Sequence, residues 1–132
     1  MRLGGAIVLV VTACTVVGCG ASAKSQVRAK VRQFASATAR KDYRTICHDV
    51  LAPALVAHLT SNHIPCERAM QLALGGVQHP TLSIGPITVK GKVASVYTLT
   101  VAQGQQASLD VLQLSDTSDG WRVTSLHSPL PR

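Results

Sequence analysis

The chain has 132 residues, with 13 Lys and Arg against 6 Asp and Glu, a formal net charge of +7 and a hydrophobic fraction of 46%. That is enough chain for one domain, and it excludes a large multi-step enzyme, a polytopic membrane protein and a repeat solenoid. The aromatic residues are Phe34, Tyr43, Tyr97 and Trp121 alone, too few for a base-stacking platform.

Arg2 gives a short positive start, and Ala6 to Val17 is an apolar run broken only by Thr12 and Thr15. The run is short for a bilayer span and has no stop-transfer flank, so it reads as a secretory signal. It ends in Val16-Val17-Gly18-Cys19, which resembles the lipobox of bacterial lipoproteins: two aliphatic positions, a small residue and a cysteine. The resemblance implies that residues 1–18 are a signal peptide, that the chain is cut before Cys19, and that the Cys19 thiol carries a diacylglycerol. Residues 19–25 would then be the lipidated cysteine and a tether. Each buried acyl methylene contributes about 0.8 kcal/mol, so two or three chains hold a protein stably at a membrane. The expected location is the extracytoplasmic face of the cell membrane.

Cys14 leaves with the signal and Cys19 carries lipid, which leaves Cys47 and Cys66. An even pair in an exported protein favours a disulfide. Closing a loop of this size stabilises by roughly 3 kcal/mol in the chain-entropy picture. The rival is a metal site built from Cys47, His48, His63 and Cys66. Those are zinc donors, but the spacing is not C-x-x-C and the compartment is oxidising. No metal and no cofactor are expected.

In chain order, Gln26 to Arg40 shows helical spacing, with Val27, Val31, Phe34, Ala35 and Thr38 on one face. Asp42 is placed to cap a second helix, Asp42 to Leu51, whose apolar side holds Tyr43, Ile46, Cys47 and Val50. Pro53 permits a restart, so Ala54 to Leu59 reads as a short helix. Residues 61–63 form a loop, and Pro65 opens a last helix that Gly75-Gly76 ends. A Cys47–Cys66 bond would staple this helix to the second one.

From Thr81 the period switches to two. Thr81 to Val89 is a strand whose Gly85-Pro86 marks an edge or bulge position. Lys90-Gly91 turns into Lys92–Ala102, which carries Val93, Ser95, Tyr97, Leu99 and Val101 on one face and Ala94, Val96, Thr98 and Thr100 on the other. Gln106 to Leu114 is the third strand and Trp121 to Leu126 the fourth. Helices followed by hairpin-linked strands make the chain α+β rather than α/β. Residues 128–132 read as a frayed tail.

Phe34-Ala35, Asp42-Tyr43, Cys47 and Cys66, Ile84-Gly85-Pro86-Ile87 and Gly120-Trp121-Arg122-Val123 occur in an order that resembles the nuclear transport factor 2-like superfamily over residues 26–127. More narrowly, the chain is similar to small exported lipoproteins of that fold. The resemblance implies N-terminal helices packed on a curved antiparallel sheet of four or more strands. Their cone opens between the helices and the concave sheet face. In some members the cone holds a small apolar ligand or an active site, in others only core side chains. Members commonly dimerise through the sheet.

Enzymes of this superfamily, such as ketosteroid isomerases, place an acid or base in the cone. Asp110 is the candidate here, because it interrupts the apolar run Leu109-Asp110-Val111-Leu112. On the concave face its carboxyl would lose water and suit a general base. On the convex face it would be a solvated strand residue, the simpler expectation. Tyr43 and Tyr97 could donate hydrogen bonds in a pocket, although core filling is their ordinary use. The five histidines include no pair at helical spacing and read as surface residues. Lys24, Arg28, Lys30 and Arg32 lie just after the anchor, and Arg40, Lys41 and Arg44 follow. An exported protein with no recognition motif is not expected to bind nucleic acid. The first four cations suit anionic lipid headgroups beside the anchor, each contributing up to about 1 kcal/mol, or else a solvated helix face. The leading expectation is a non-catalytic envelope module that binds a small apolar ligand or a partner, a second copy included. A small isomerase, cyclase or dehydratase and a lipid carrier are the alternatives.

Overall fold

The computed structural model describes residues 22–127. The expected signal peptide, the candidate lipidation residue Cys19 and the expected 128–132 tail lie outside these residues. Helices come first: α1 (Ala23–Ala39), α2 (Tyr43–Thr45) continuing as a π-helical turn (Ile46–Val50), α3 (Pro53–Thr60) and α4 (Cys66–Leu74). Strands β1 (Thr81–Lys90), β2 (Val93–Val101), β3 (Ser108–Thr117) and β4 (Gly120–His127) follow. They form one antiparallel sheet in sequential order, β1-β2-β3-β4. The architecture is α+β, as the sequence predicts. No helix among the described residues is long and apolar enough to cross a membrane.

Helix α1 starts earlier than its apolar spacing suggests. Ser22 caps it, its hydroxyl accepting from the Ser25 amide, so residues 23–25 belong to the helix rather than to a tether. Its other end closes in a Schellman arrangement. Lys41 takes a left-handed φ of 56°, its amide donates to Thr38, and the Asp42 amide donates to Ala37. Asp42 then caps α2: Oδ1 accepts from the Thr45 amide and Oδ2 from the Thr45 hydroxyl.

The expected single helix Asp42–Leu51 is divided. After Thr45 the chain widens into the π turn, and Leu51 leaves in extended conformation. That exit joins the two layers, because Leu51 bridges to Val123 and the Ala52 amide donates to the Val123 carbonyl at 2.8 Å. The Cys47–Cys66 disulfide ties the π turn to α4 across a Cα separation of 6.0 Å. Pro65 occupies the cap position of α4 rather than its first turn.

The strand boundaries move by one to three residues from the periodic reading. The β1–β2 turn places Gly91 at φ 59°, the only left-handed residue of that two-residue loop, as a II′ hairpin requires. A register shift between Ile84 and Ile87 places the expected bulge at Gly85-Pro86, on an edge strand. The core lies between α1, the π turn and the inner sheet face. Val27, Val31, Ile46 and Val50 meet Val96, Leu112, Leu114 and Val123, all buried.

Candidate functional site: the open end of the cone

The two faces of β2 have different fates. Ala94, Val96 and Thr98 are buried under the helices, whereas Val93, Tyr97, Leu99 and Val101 stand on the outer face and remain 42–50% exposed. Antiparallel register carries this assignment across the sheet. Asp110 pairs with Thr98, so it shares the inner face with Leu112 and Leu114. The solvated convex position, the simpler expectation for Asp110, is not the one it takes.

Between the C-terminal half of α1, the end of α4 and the adjoining ends of the strands lies a cavity of about 160 Å³. Phe34, Leu74, Val77, Leu82 and Leu112 supply apolar wall, and the half-exposed Leu126 stands at the rim. Asp110 lines it with Thr98, Thr100 and Ser108. The Ser108 hydroxyl donates to Asp110 Oδ2 at 2.6 Å, and Thr98 Oγ1 donates to the Asp110 main-chain carbonyl at 3.4 Å. Thr38 is also in the wall, and its buried hydroxyl has no hydrogen-bond partner. Among the described lining residues, Asp110 is the one that ionises.

The tyrosines do not join it. Tyr97 is on the opposite face of the sheet from Asp110, beside a shallow outer depression with Leu99 and Leu109. Tyr43 packs against the core from α2, its hydroxyl near Gly75. Helical spacing in the sequence places Phe34, Ala35 and Thr38 on one helix face. Val77, Pro80 and Gln105 line the cavity from loops, where no periodicity marks them.

The membrane-contact candidates divide. The helical period places Lys24, Arg28 and Arg32 along one flank of α1 and Lys30 on the other. Lys30 reaches inward, its Nζ donating to the Asp49 carbonyl at 2.8 Å and to Gln33 Oε1 at 2.8 Å. Arg122 donates to the same Asp49 carbonyl. Burial, and then the Arg122 guanidinium, hold the Lys30 ammonium below its ordinary 10.5, with Asp49 opposing. Lys30 is therefore a cap on the π turn rather than a free surface cation. All five histidines are exposed. His48 pairs with Glu67 at 3.4 Å beside the disulfide, which consumes both thiols of the alternative metal set. Among the described residues, no three His, Cys, Asp or Glu gather as a metal site.

A helical layer over a curved four-strand sheet, with a cavity opening between them, matches solved structures along nearly their whole length. A candidate ketosteroid isomerase from Shewanella frigidimarina superposes with a TM-score of 0.61 at 22% identity, covering 80% of this chain and 96% of that one. A nuclear transport factor 2-like protein of unknown function from Silicibacter pomeroyi gives 0.58 at 13% identity, covering 78% and 91%. This is a nuclear transport factor 2-like fold. A candidate dehydratase of the same family from Streptomyces avermitilis superposes with a TM-score of 0.56 at 17% identity, covering 83% and 97%. No protein-family model and no curated protein sequence matches the chain. The nuclear transport factor 2-like fold serves enzymes and binders alike, so function rests on the cavity itself.

Proposed function

We propose that the protein is an exported lipoprotein, anchored through Cys19, whose nuclear transport factor 2-like domain binds a small apolar ligand without transforming it. One observation carries the binding reading: the cone is open, and its mouth is an apolar-walled cavity with one convergent carboxylate. Its size favours a compact ligand over the long acyl chain of a lipid or glycolipid carrier, since about 150 Å³ of apolar space holds a benzene ring.

The second reading is an acid–base enzyme with Asp110 as the base. Its inward position and the two candidate enzymes among the structural neighbours favour it. Against it stands the rest of the wall. Removing a proton next to a carbonyl develops negative charge that needs a strong donor. Tyr43 and Tyr97 both lie elsewhere, and Thr and Ser hydroxyls are what Asp110 has beside it. Native mass spectrometry of the protein, purified gently from expressing cells, tests the binding reading. A small molecule that dissociates on denaturation is the expected result, and a clean apo species would overturn it. For the anchor, Cys19→Ser is expected to release the protein to the medium, and a variant that stays membrane-bound would overturn that part.

Lys24, Arg28 and Arg32 are proposed to rest on anionic headgroups beside the anchor. The outer sheet face, with Val93, Tyr97, Leu99, Val101 and Leu109 exposed, is proposed to meet a second copy of the chain.

A further inference from the structure

Resting on the reading of the cone as a binding site, we infer that its ligand is a single-ring-sized apolar amine, held by a contact between its ammonium group and Asp110. The cavity contains one fixed charge, and that charge is negative. This is notable in a chain with a formal charge of +7. Thirteen Lys and Arg are available, yet among the described residues none lines the cavity, and neither does any histidine. An anionic ligand would enter an apolar space against the Asp110 carboxylate with no cation to offset it. A neutral apolar ligand would displace water from the carboxylate and give nothing back. A protonated amine replaces that water with a charge-assisted hydrogen bond.

The local bonding leaves room for this. Ser108 donates to Oδ2, and among the described residues no side chain or amide donates to Oδ1. The Ser108 bond fixes the carboxylate over the mouth, so its orientation is set before a ligand arrives. Phe34, Leu82 and Leu112 flank the space that the ligand's ring would fill. The volume, about 160 Å³, suits one ring.

Isothermal titration of the full chain with three probes of one shape tests this: cyclohexylmethylamine, cyclohexylmethanol and cyclohexanecarboxylate. The amine is expected to bind at least about tenfold tighter than the alcohol, and the carboxylate weakest. Asp110→Asn is expected to erase the amine's advantage over the alcohol, because the amine loses its charged partner while the alcohol no longer strips water from a carboxylate. Equal binding of amine and alcohol, or an advantage that survives Asp110→Asn, overturns the amine inference while the cone still counts as a binding site. If none of the three binds, the binding-site reading falls with it. The wild-type comparison decides even if the variant does not fold.

Discussion

Thr98 and Asp110 stand directly opposite each other in the β2–β3 ladder, and Thr98 is 1% exposed while Asp110 reaches the cavity mouth. The inner face therefore grades from closed core at Leu114 and Leu112 to open cone at Asp110. Stability should follow that gradient. Leu112→Ala, on the inner face, is expected to cost about 3 kcal/mol, whereas Leu99→Ala on the outer face of the isolated chain should cost under about 1 kcal/mol. Thr98→Val replaces a hydroxyl whose one bond is long, at 3.4 Å, and should change stability by less than about 1 kcal/mol. Urea unfolding of the three variants measures this. Similar costs for Leu112→Ala and Leu99→Ala would reverse the assignment of faces.

That gradient shows what the sequence could and could not reveal. Period-two spacing sorted β2 into two faces, but both are apolar enough to be core. The bulkier set, Val93, Tyr97, Leu99 and Val101, lies outside. The smaller set, Ala94, Val96 and Thr98, lies inside, because α1 and the π turn already fill the concave side with Val27, Val31 and Ile46. Volume, not hydrophobicity, decided the face, and volume is set by neighbours distant in sequence. The side of the sheet on which Asp110 falls depended on that choice. The Asp42 cap is legible as a residue type ahead of an apolar run; the Ser22 cap and the Lys30 contact, 19 residues away, are not.

The Cys47–Cys66 bond links the π turn to α4. In the chain-entropy picture a closed loop of this length stabilises by about 3 kcal/mol. Cys47→Ser with Cys66→Ser is expected to lower unfolding free energy by about that amount and to leave the fold intact at low temperature. Non-reducing peptide mapping checks the bond itself; free thiols at both positions would remove it.

Lys30 and Arg122 donate to one acceptor, the Asp49 carbonyl at the end of the π turn. Two cations at a helical C-terminus favour its dipole but repel each other. Lys30→Met keeps the packed stem and removes the charge, and is expected to cost about 1 kcal/mol. Arg122→Gln should cost a similar amount. Each single variant relieves the repulsion felt by the other cation, so the double variant should cost more than the two singles together. Additive costs in a double-mutant cycle would mean that the shared carbonyl does not couple them.

Asp42 closes α1 and opens α2, and its carboxyl is held below its ordinary 3.8. The Thr45 amide is the main cause, then the Thr45 hydroxyl, with Arg40 and Arg44 assisting. The lowered value means that the unfolded chain takes up the proton first. The cap's contribution is therefore complete above the ordinary carboxylate range and fades as pH falls through the lowered folded value. Asp42→Ala should be less stable than the parent at pH 6, and the gap should shrink as pH falls through the lowered folded value. Urea midpoints across that range check the sign. A gap that widens on acidification would show that the charge does not carry the cap.

The outer sheet face carries exposed apolar side chains, Val93, Tyr97, Leu99 and Leu109, each 39–50% exposed. Exposed apolar groups of this kind on a folded domain are usually covered. They lie on β2 and β3, the central strands, so a partner would stack face to face rather than extend an edge. A second copy presents the same surface and satisfies the two-fold condition of an isologous contact. Sedimentation of the protein without its lipid is expected to show a dimer. Tyr97→Asp, which places a charge among these side chains without touching the core, is expected to shift it to monomer by at least about tenfold in Kd while leaving the thermal midpoint of the monomer unchanged. A wild-type protein that sediments as a monomer at high concentration would overturn the dimer. A dimer indifferent to Tyr97→Asp would move the contact to another face.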